Sequence, residues 1–182
     1  EVLAEALVAH SLLEILVGCR DDPHVGLDRF GPSHAFELAL LQHPEQFALE
    51  RQVHVADLDT IVDRSVSLVD AEAKRAGIQV VREATPPPDA GPSALQVRVD
   101  PHQIQQVLMN LMLNAIQAME DGGTLSVRTF LRDGDGVSLE VRDTGIGIPK
   151  AQLKKIFDPF FTTKSEGTGL GLSISAKILE NH

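Results

Sequence analysis

The segment DTGIGIPKAQLKKIFDPFFTTKSEGTGLGLSIS, residues Asp143 to Ser175, constrains this chain more than any other. Glycines gather at its two ends, Gly145 and Gly147 in the first group and Gly167, Gly169 and Gly171 in the second. Basic and aromatic residues lie between them. Glycine inside a regular element is roughly 0.5–1 kcal/mol worse than alanine. Clusters of it therefore mark backbone that takes positive φ or approaches something closely. The first group follows an alternating apolar run, Val137 to Val141, which predicts a strand. The second opens an apolar-periodic run, which predicts a helix starting near Gly169 and continuing to the end.

The surrounding pattern supplies the rest of an α/β unit. Ala56 to Gly77 predicts a helix, with Leu58, Ile61, Val62, Val66, Val69 and Ala73 as its apolar stripe and Gly77 as its stop. Ile78 to Glu83 and Leu95 to Val99 read as strands, separated by the loop Thr85 to Ser93. Asp100 caps a helix that has Pro101 at its first position and runs to about Glu120. Thr124 to Leu131 and Val137 to Val141 form a hairpin through DGDG, and Pro149 opens a short helix to about Phe157. This order predicts an α+β domain, a two-layer α/β sandwich with helices on one face of a mixed sheet. The first twenty residues read as a helix ending at Gly18, and prolines and glycines break the pattern from Asp21 to Pro44. The expected division is a helical segment over residues 1–52 and the sandwich over 53–182.

A net charge of −10 argues against a nucleic-acid surface, so no nucleic-acid partner is expected. Cys19 is the single cysteine, which excludes an internal disulfide or a multi-cysteine metal site. No apolar run reaches membrane-spanning length. A cytoplasmic location is expected for this part, whatever anchor a parent protein carries.

The helix DPHQIQQVLMNLMLNAIQAME buries Ile104, Val107, Leu108, Leu111, Met112, Ala115 and Met119. Gln103, Gln106, Asn110, Asn114 and Gln117 form an amide stripe at spacings of three and four. Amide oxygens suit a hard cation, and Mg²⁺ needs only one or two protein ligands when phosphate supplies others. Asp143, at a strand end beside a glycine turn, can accept from a base amine; simple turns and calcium loops share that pattern. Phe157 and Phe160 read as core anchors. Lys164 beside Thr162 and Thr163 points to an anion, and the glycine-guarded helix start after Gly167 suits phosphate.

In combination, the amide helix, DTGIGIP, FDPFFTTK and GTGLGLSIS resemble the catalytic ATP-binding domain of sensor histidine kinases, within the gyrase, heat-shock chaperone and MutL ATPase superfamily. The likeness covers roughly Val53 to His182, and NLMLNAIQAM with its short SEGTGLGL loop is similar to the nitrogen-regulation sensors. The resemblance implies the Bergerat fold, with ATP and Mg²⁺ as ligands. It implies Asn114 as the Mg²⁺ ligand, with Asn110 near the phosphates. Asp143 would take the adenine amine, with Gly145 and Gly147 shaping the pocket. Phe160 and Phe161 would hinge a lid; Lys164, Thr168, Gly169 and Gly171 would lie along the triphosphate, and Leu172 near the base. The gyrase-type relatives place a water-activating glutamate where this chain has Asn110, which favours phosphoryl transfer over hydrolysis.

The family's acceptor histidine is followed by an acidic residue, a basic residue, asparagine and proline. That motif is absent from the sequence; His10, in VAHSLLEIL, is the candidate acceptor, with Glu14 one turn on. The family also continues with further strands, whose absence predicts an open sheet edge. The resemblance implies a homodimer through the N-terminal helices and a response-regulator receiver domain as partner. Two further readings share the nucleotide motifs: an ATP-binding module without kinase activity, and a serine kinase of the anti-sigma type.

Overall fold

The computed structural model describes residues 12–19, 52–85, 95–131, 136–165 and 167–182. In chain order the elements are β1 (Leu12–Cys19), β2 (His54–Asp57), α1 (Leu58–Arg75), β3 (Ile78–Thr85), β4 (Gln96–Val99), α2 (Pro101–Gln117), β5 (Gly123–Leu131), β6 (Gly136–Asp143) and α3 (Gly171–Glu180). The main sheet runs β1-β6-β5-β3, with β3 parallel to β5 and the other pairs antiparallel. The mixed sheet and its helical layer are as the sequence predicts.

Strand alternation sets the inner face. Leu125 and Val127 on β5, with Val137, Leu139 and Val141 on β6, are buried under the helices. Pairing places Leu125 opposite Asp143 and Val127 opposite Val141, so Asp143 closes the same inward row at the carboxyl end of β6. From the helices come Leu58, Val62 and Val69, then Ile104, Leu108 and Met112, and Ile174 and Ile178. Each large apolar side chain so buried contributes about 1.5–3 kcal/mol before entropy is counted.

Both longer helices are capped by aspartate. Asp57 accepts from the Thr60 N–H at 2.8 Å. Asp100 Oδ1 accepts from the His102 and Gln103 N–H groups at 2.9 and 3.3 Å, and its Oδ2 from the Gln52 N–H at 2.7 Å. Burial pushes the Asp100 carboxyl up, but these three N–H groups and the neighbouring His102 outweigh it and hold the pKa below the usual value. The Asp100 N–H itself donates to His182 Nε2 at 2.9 Å, while His182 Nδ1 donates to the Ile178 carbonyl at 2.8 Å. The start of α2 is thereby tied to the segment before β2 and to the end of α3.

The structure corrects four expectations. Leu12–Cys19 is a strand, not part of a helix, and it pairs along β6 from Leu12 opposite Arg142 to Cys19 opposite Gly136. A short apolar run does not distinguish helix from strand by pattern alone; an available strand edge decides it. The rest of the expected N-terminal helical segment lies outside the described residues. β1 thereby covers the edge of β6, and the outer strands of the main sheet are β1 and β3. His54–Asp57, absent from the sequence reading, is a strand that pairs with β4 in a separate two-stranded sheet, taking β4 out of the main one. Pro149–Phe157 forms consecutive turns, with Gln152 N–H bonded to the Pro149 carbonyl and Lys155 N–H to that of Gln152. So short a segment does not repay helix nucleation and settles for i→i+3 bonds. Phe160 is 43% exposed and is no core anchor; Pro159 is buried in its place. Among the described residues no helix is long and apolar enough to cross a membrane.

Candidate functional site

One face of α2 organises the site. Asn110, Asn114 and Gln117 rise along it at helical spacing, and the Ala118 carbonyl ends it. Three segments remote in sequence dock there.

The first is the turn after β6. Asp143 is buried, at 5% exposure, and its Oδ1 accepts from the Gly145 N–H at 2.8 Å. The Ile146 N–H donates to the Ala118 carbonyl at 3.1 Å. A Cβ on Gly145 would fall 2.5 Å from that same oxygen, so only glycine lets the turn lie against the end of α2. Thr144 Oγ1 accepts from the Thr124 N–H at 3.0 Å and meets Met119 Sδ at 3.7 Å. Gly147 has open space beyond it, and Ile146 is 91% exposed beside it.

The second is the loop from Phe160 to Gly169. Phe160 holds φ 67°, left-handed backbone that costs a bulky residue about 1–2 kcal/mol. Phe161 is half-buried, and Thr168 Oγ1 accepts from the Leu170 N–H at 3.4 Å. Lys164 reaches back to α2: its Nζ donates to Asn114 Oδ1 at 3.0 Å and to Gln117 Oε1. Burial pushes the Lys164 pKa down. The third segment is the start of α3, where Leu170 provides no side-chain cap, so the first N–H groups of the helix lack one. Asn110 Nδ2 donates to the Gly171 carbonyl and to Ser175 Oγ, each at 3.2 Å. Leu172 packs, partly buried, against the core.

Asn110 is thus joined to Gly171, and Asn114 to Lys164, by direct hydrogen bonds, and Asp143, Gly145 and Gly147 sit on the turn anchored at the end of the same helix. Asn110 is engaged in fixing α3 to α2. His10 lies outside the described residues. Sequence reasoning placed Gln117 in the amide stripe without singling it out, and gave no role to Thr144 or the Ala118 carbonyl. The placement of Gln117, three residues after Asn114 on one face, is the signal that marks it. Among the described residues no group of three His, Cys, Asp or Glu could hold a metal. The Asn114 oxygen already accepts from a cationic group, and such a neutral oxygen fits a hard divalent ion completed by phosphate.

This fold and this site define an ATPase-type α/β sandwich, and comparison with known proteins agrees. Residues 99–182 match the family model of histidine kinase-, DNA gyrase B-, and HSP90-like ATPases. The chain is 42% identical over 146 residues to sensor histidine kinase ZraS of Escherichia coli O157:H7, covering 80% of this chain and 30% of that protein. It is 35% identical over 146 residues to sporulation kinase E of Bacillus subtilis, covering 80% of this chain and 18% of that protein. It therefore spans less than a third of these curated relatives. The catalytic domain of histidine kinase ThkA, in nucleotide-free form, superposes with TM-score 0.59 and 33% identity over 71% of this chain and 81% of that one. Full-length ShkA in complex with AMPPNP gives TM-score 0.63 and 25% identity over 79% and 30%. The chain belongs to the histidine kinase-, gyrase- and HSP90-like ATPase family, as a catalytic domain of the sensor histidine kinase type.

Proposed function

We propose that this domain binds Mg-ATP on the α2 face and transfers the γ-phosphoryl group to a histidine, from which it passes to a response-regulator aspartate. The single observation that carries the reading is the convergence of three remote segments on one stripe of α2, at Asn110, Asn114 and Ala118. In this reading Asp143 accepts from the adenine amine, and Gly145 and Gly147 leave room for the base with Leu172 near it. Phe160 and Phe161 hinge the loop, while Lys164, Thr168, Gly169 and Gly171 line the triphosphate. Asn114 holds Mg²⁺, which when bound neutralises charge on the phosphate oxygens.

The chain's own contribution is positioning and charge. Lys164 supplies a cation beside the transferring group. Asn110, with no acidic or basic group, offers water no general base and instead fixes the α3 start that faces the phosphates. The γ-phosphorus forms a bond to the acceptor imidazole as its bond to the ADP oxygen breaks. His10 is the proposed acceptor, in a homodimer through the N-terminal region, with a receiver domain as second partner; the sandwich over 53–182 is the unit that holds ATP, on the cytoplasmic side. ShkA with AMPPNP and the histidine kinases among the relatives support the ligand and the reaction class. The test is labelling with γ-phosphate-tagged ATP, with His10→Ala alongside. Acid-labile, alkali-stable label that disappears in the variant is expected. Acid-stable label would indicate a serine kinase, and ATP binding without label would reduce the domain to a nucleotide module.

A further inference from the structure

The contact between Lys164 and α2 goes beyond a phosphate-facing lysine. Its ammonium has three donors, and two of them are taken by amide oxygens three residues apart on one helix face, Asn114 Oδ1 and Gln117 Oε1. One of these oxygens is the proposed metal ligand. An oxygen-bound Mg²⁺ sits about 2 Å away. An ammonium on the same oxygen at 3.0 Å would then lie next to it, like charge against like charge. Lys164 and the metal therefore exclude one another at Asn114.

We propose that Gln117 is a positioning residue that seats the Lys164 ammonium on Asn114, so that lysine and the divalent ion exchange at this oxygen and the loop is latched to α2 whenever lysine holds it. The proposal rests on the Mg-ATP reading above. Both acceptors are neutral, so the latch is weak enough for a metal–nucleotide complex to displace; a carboxylate at either position would hold the lysine harder. Gln117 is exposed and belongs to no part of the core, so its replacement leaves the fold intact.

Hydrogen exchange of the Thr162–Lys164 and Gly167–Gly169 amides in the full chain tests this, with and without Mg-ATP, alongside the Mg²⁺ concentration that half-saturates ATP binding. Gln117→Leu is expected to speed exchange about two- to fivefold without nucleotide, the range of an exposed polar pair. It should leave exchange with Mg-ATP unchanged and lower the half-saturating Mg²⁺ by a similar factor. Gln117→Glu should do the reverse, slowing exchange and raising the Mg²⁺ requirement. Exchange in Gln117→Leu equal to wild type without nucleotide, or faster in both conditions, overturns the latch. If no protein in the series binds Mg-ATP, the nucleotide reading fails by itself, and exchange without nucleotide still decides whether Gln117 holds the loop.

Discussion

The backbone of Gly169 lies directly against that of Phe160: a Cβ at residue 169 would fall 2.4 Å from the Phe160 carbonyl carbon. Both residues hold left-handed φ, 68° and 67°. The two ends of the Phe160–Gly169 loop are thus pinched together, one of them strained. Gly169→Ala meets both a clash and an unfavourable φ. It should lower the melting temperature and cut nucleotide affinity at least tenfold, since left-handed backbone alone costs a non-glycine residue about 1–2 kcal/mol. Thermal melts and nucleotide titrations check both.

Gly145→Ala is expected to act differently. Its Cβ would press on the Ala118 carbonyl and push the Asp143 turn off the end of α2. Nucleotide affinity should fall more than stability, because the turn is peripheral to the core. A titration alongside a denaturant melt separates the two effects.

Asn110→Asp removes the donor that bridges α2 to the Gly171 carbonyl and Ser175 Oγ and sets a carboxylate beside a carbonyl oxygen. A loss of about 1–3 kcal/mol in unfolding free energy is expected, the worth of two hydrogen bonds at roughly 0.5–1.5 kcal/mol each, with the Gly171 carbonyl keeping its bond from Ser175 Oγ. Asn110→Ala should cost less, since it adds no charge. Equal stability of all three proteins would remove Asn110 from the helix contact.

Asp100 carries a pH dependence whose sign follows from its lowered pKa. Its unfolded value is about 3.9. Its stabilising contribution is therefore fully present above that pH and is lost as pH falls through the lower folded value. Asp100→Ala should destabilise by about 0.5–2 kcal/mol at neutral pH, as loss of an N-cap does. The difference from wild type should shrink in urea melts carried to about pH 3 and below.

Much of the fold was legible because long apolar periodicities are insensitive to context. The stripe of α1, the buried face of α2 and the alternation of β5 all follow directly from residue spacing. What was not legible depended on partners. Leu12–Cys19 became a strand because β6 offered an edge, and His54–Asp57 is too short to signal without β4 beside it. The candidate site residues, Asn114, Asp143, Lys164 and Gly169 among them, stand out in the sequence as residue types in order. Their connections do not. That Lys164 meets Gln117, and that Gly145 is glycine because of the Ala118 carbonyl, are facts of approach between segments distant in the chain.

The most direct test of the central claim is a calorimetric titration of the protein with Mg-ATP and Mg-GTP, repeated on Asp143→Ala and Asn114→Ala. The account predicts binding of the adenine nucleotide in preference to guanine. It predicts a loss of roughly ten- to a hundredfold in affinity in Asp143→Ala, the worth of one charge-assisted hydrogen bond of about 1.5–3 kcal/mol. It predicts an altered Mg²⁺ dependence in Asn114→Ala. Equal affinity of the wild type for ATP and GTP, or an Mg²⁺ titration unchanged in Asn114→Ala, would contradict it.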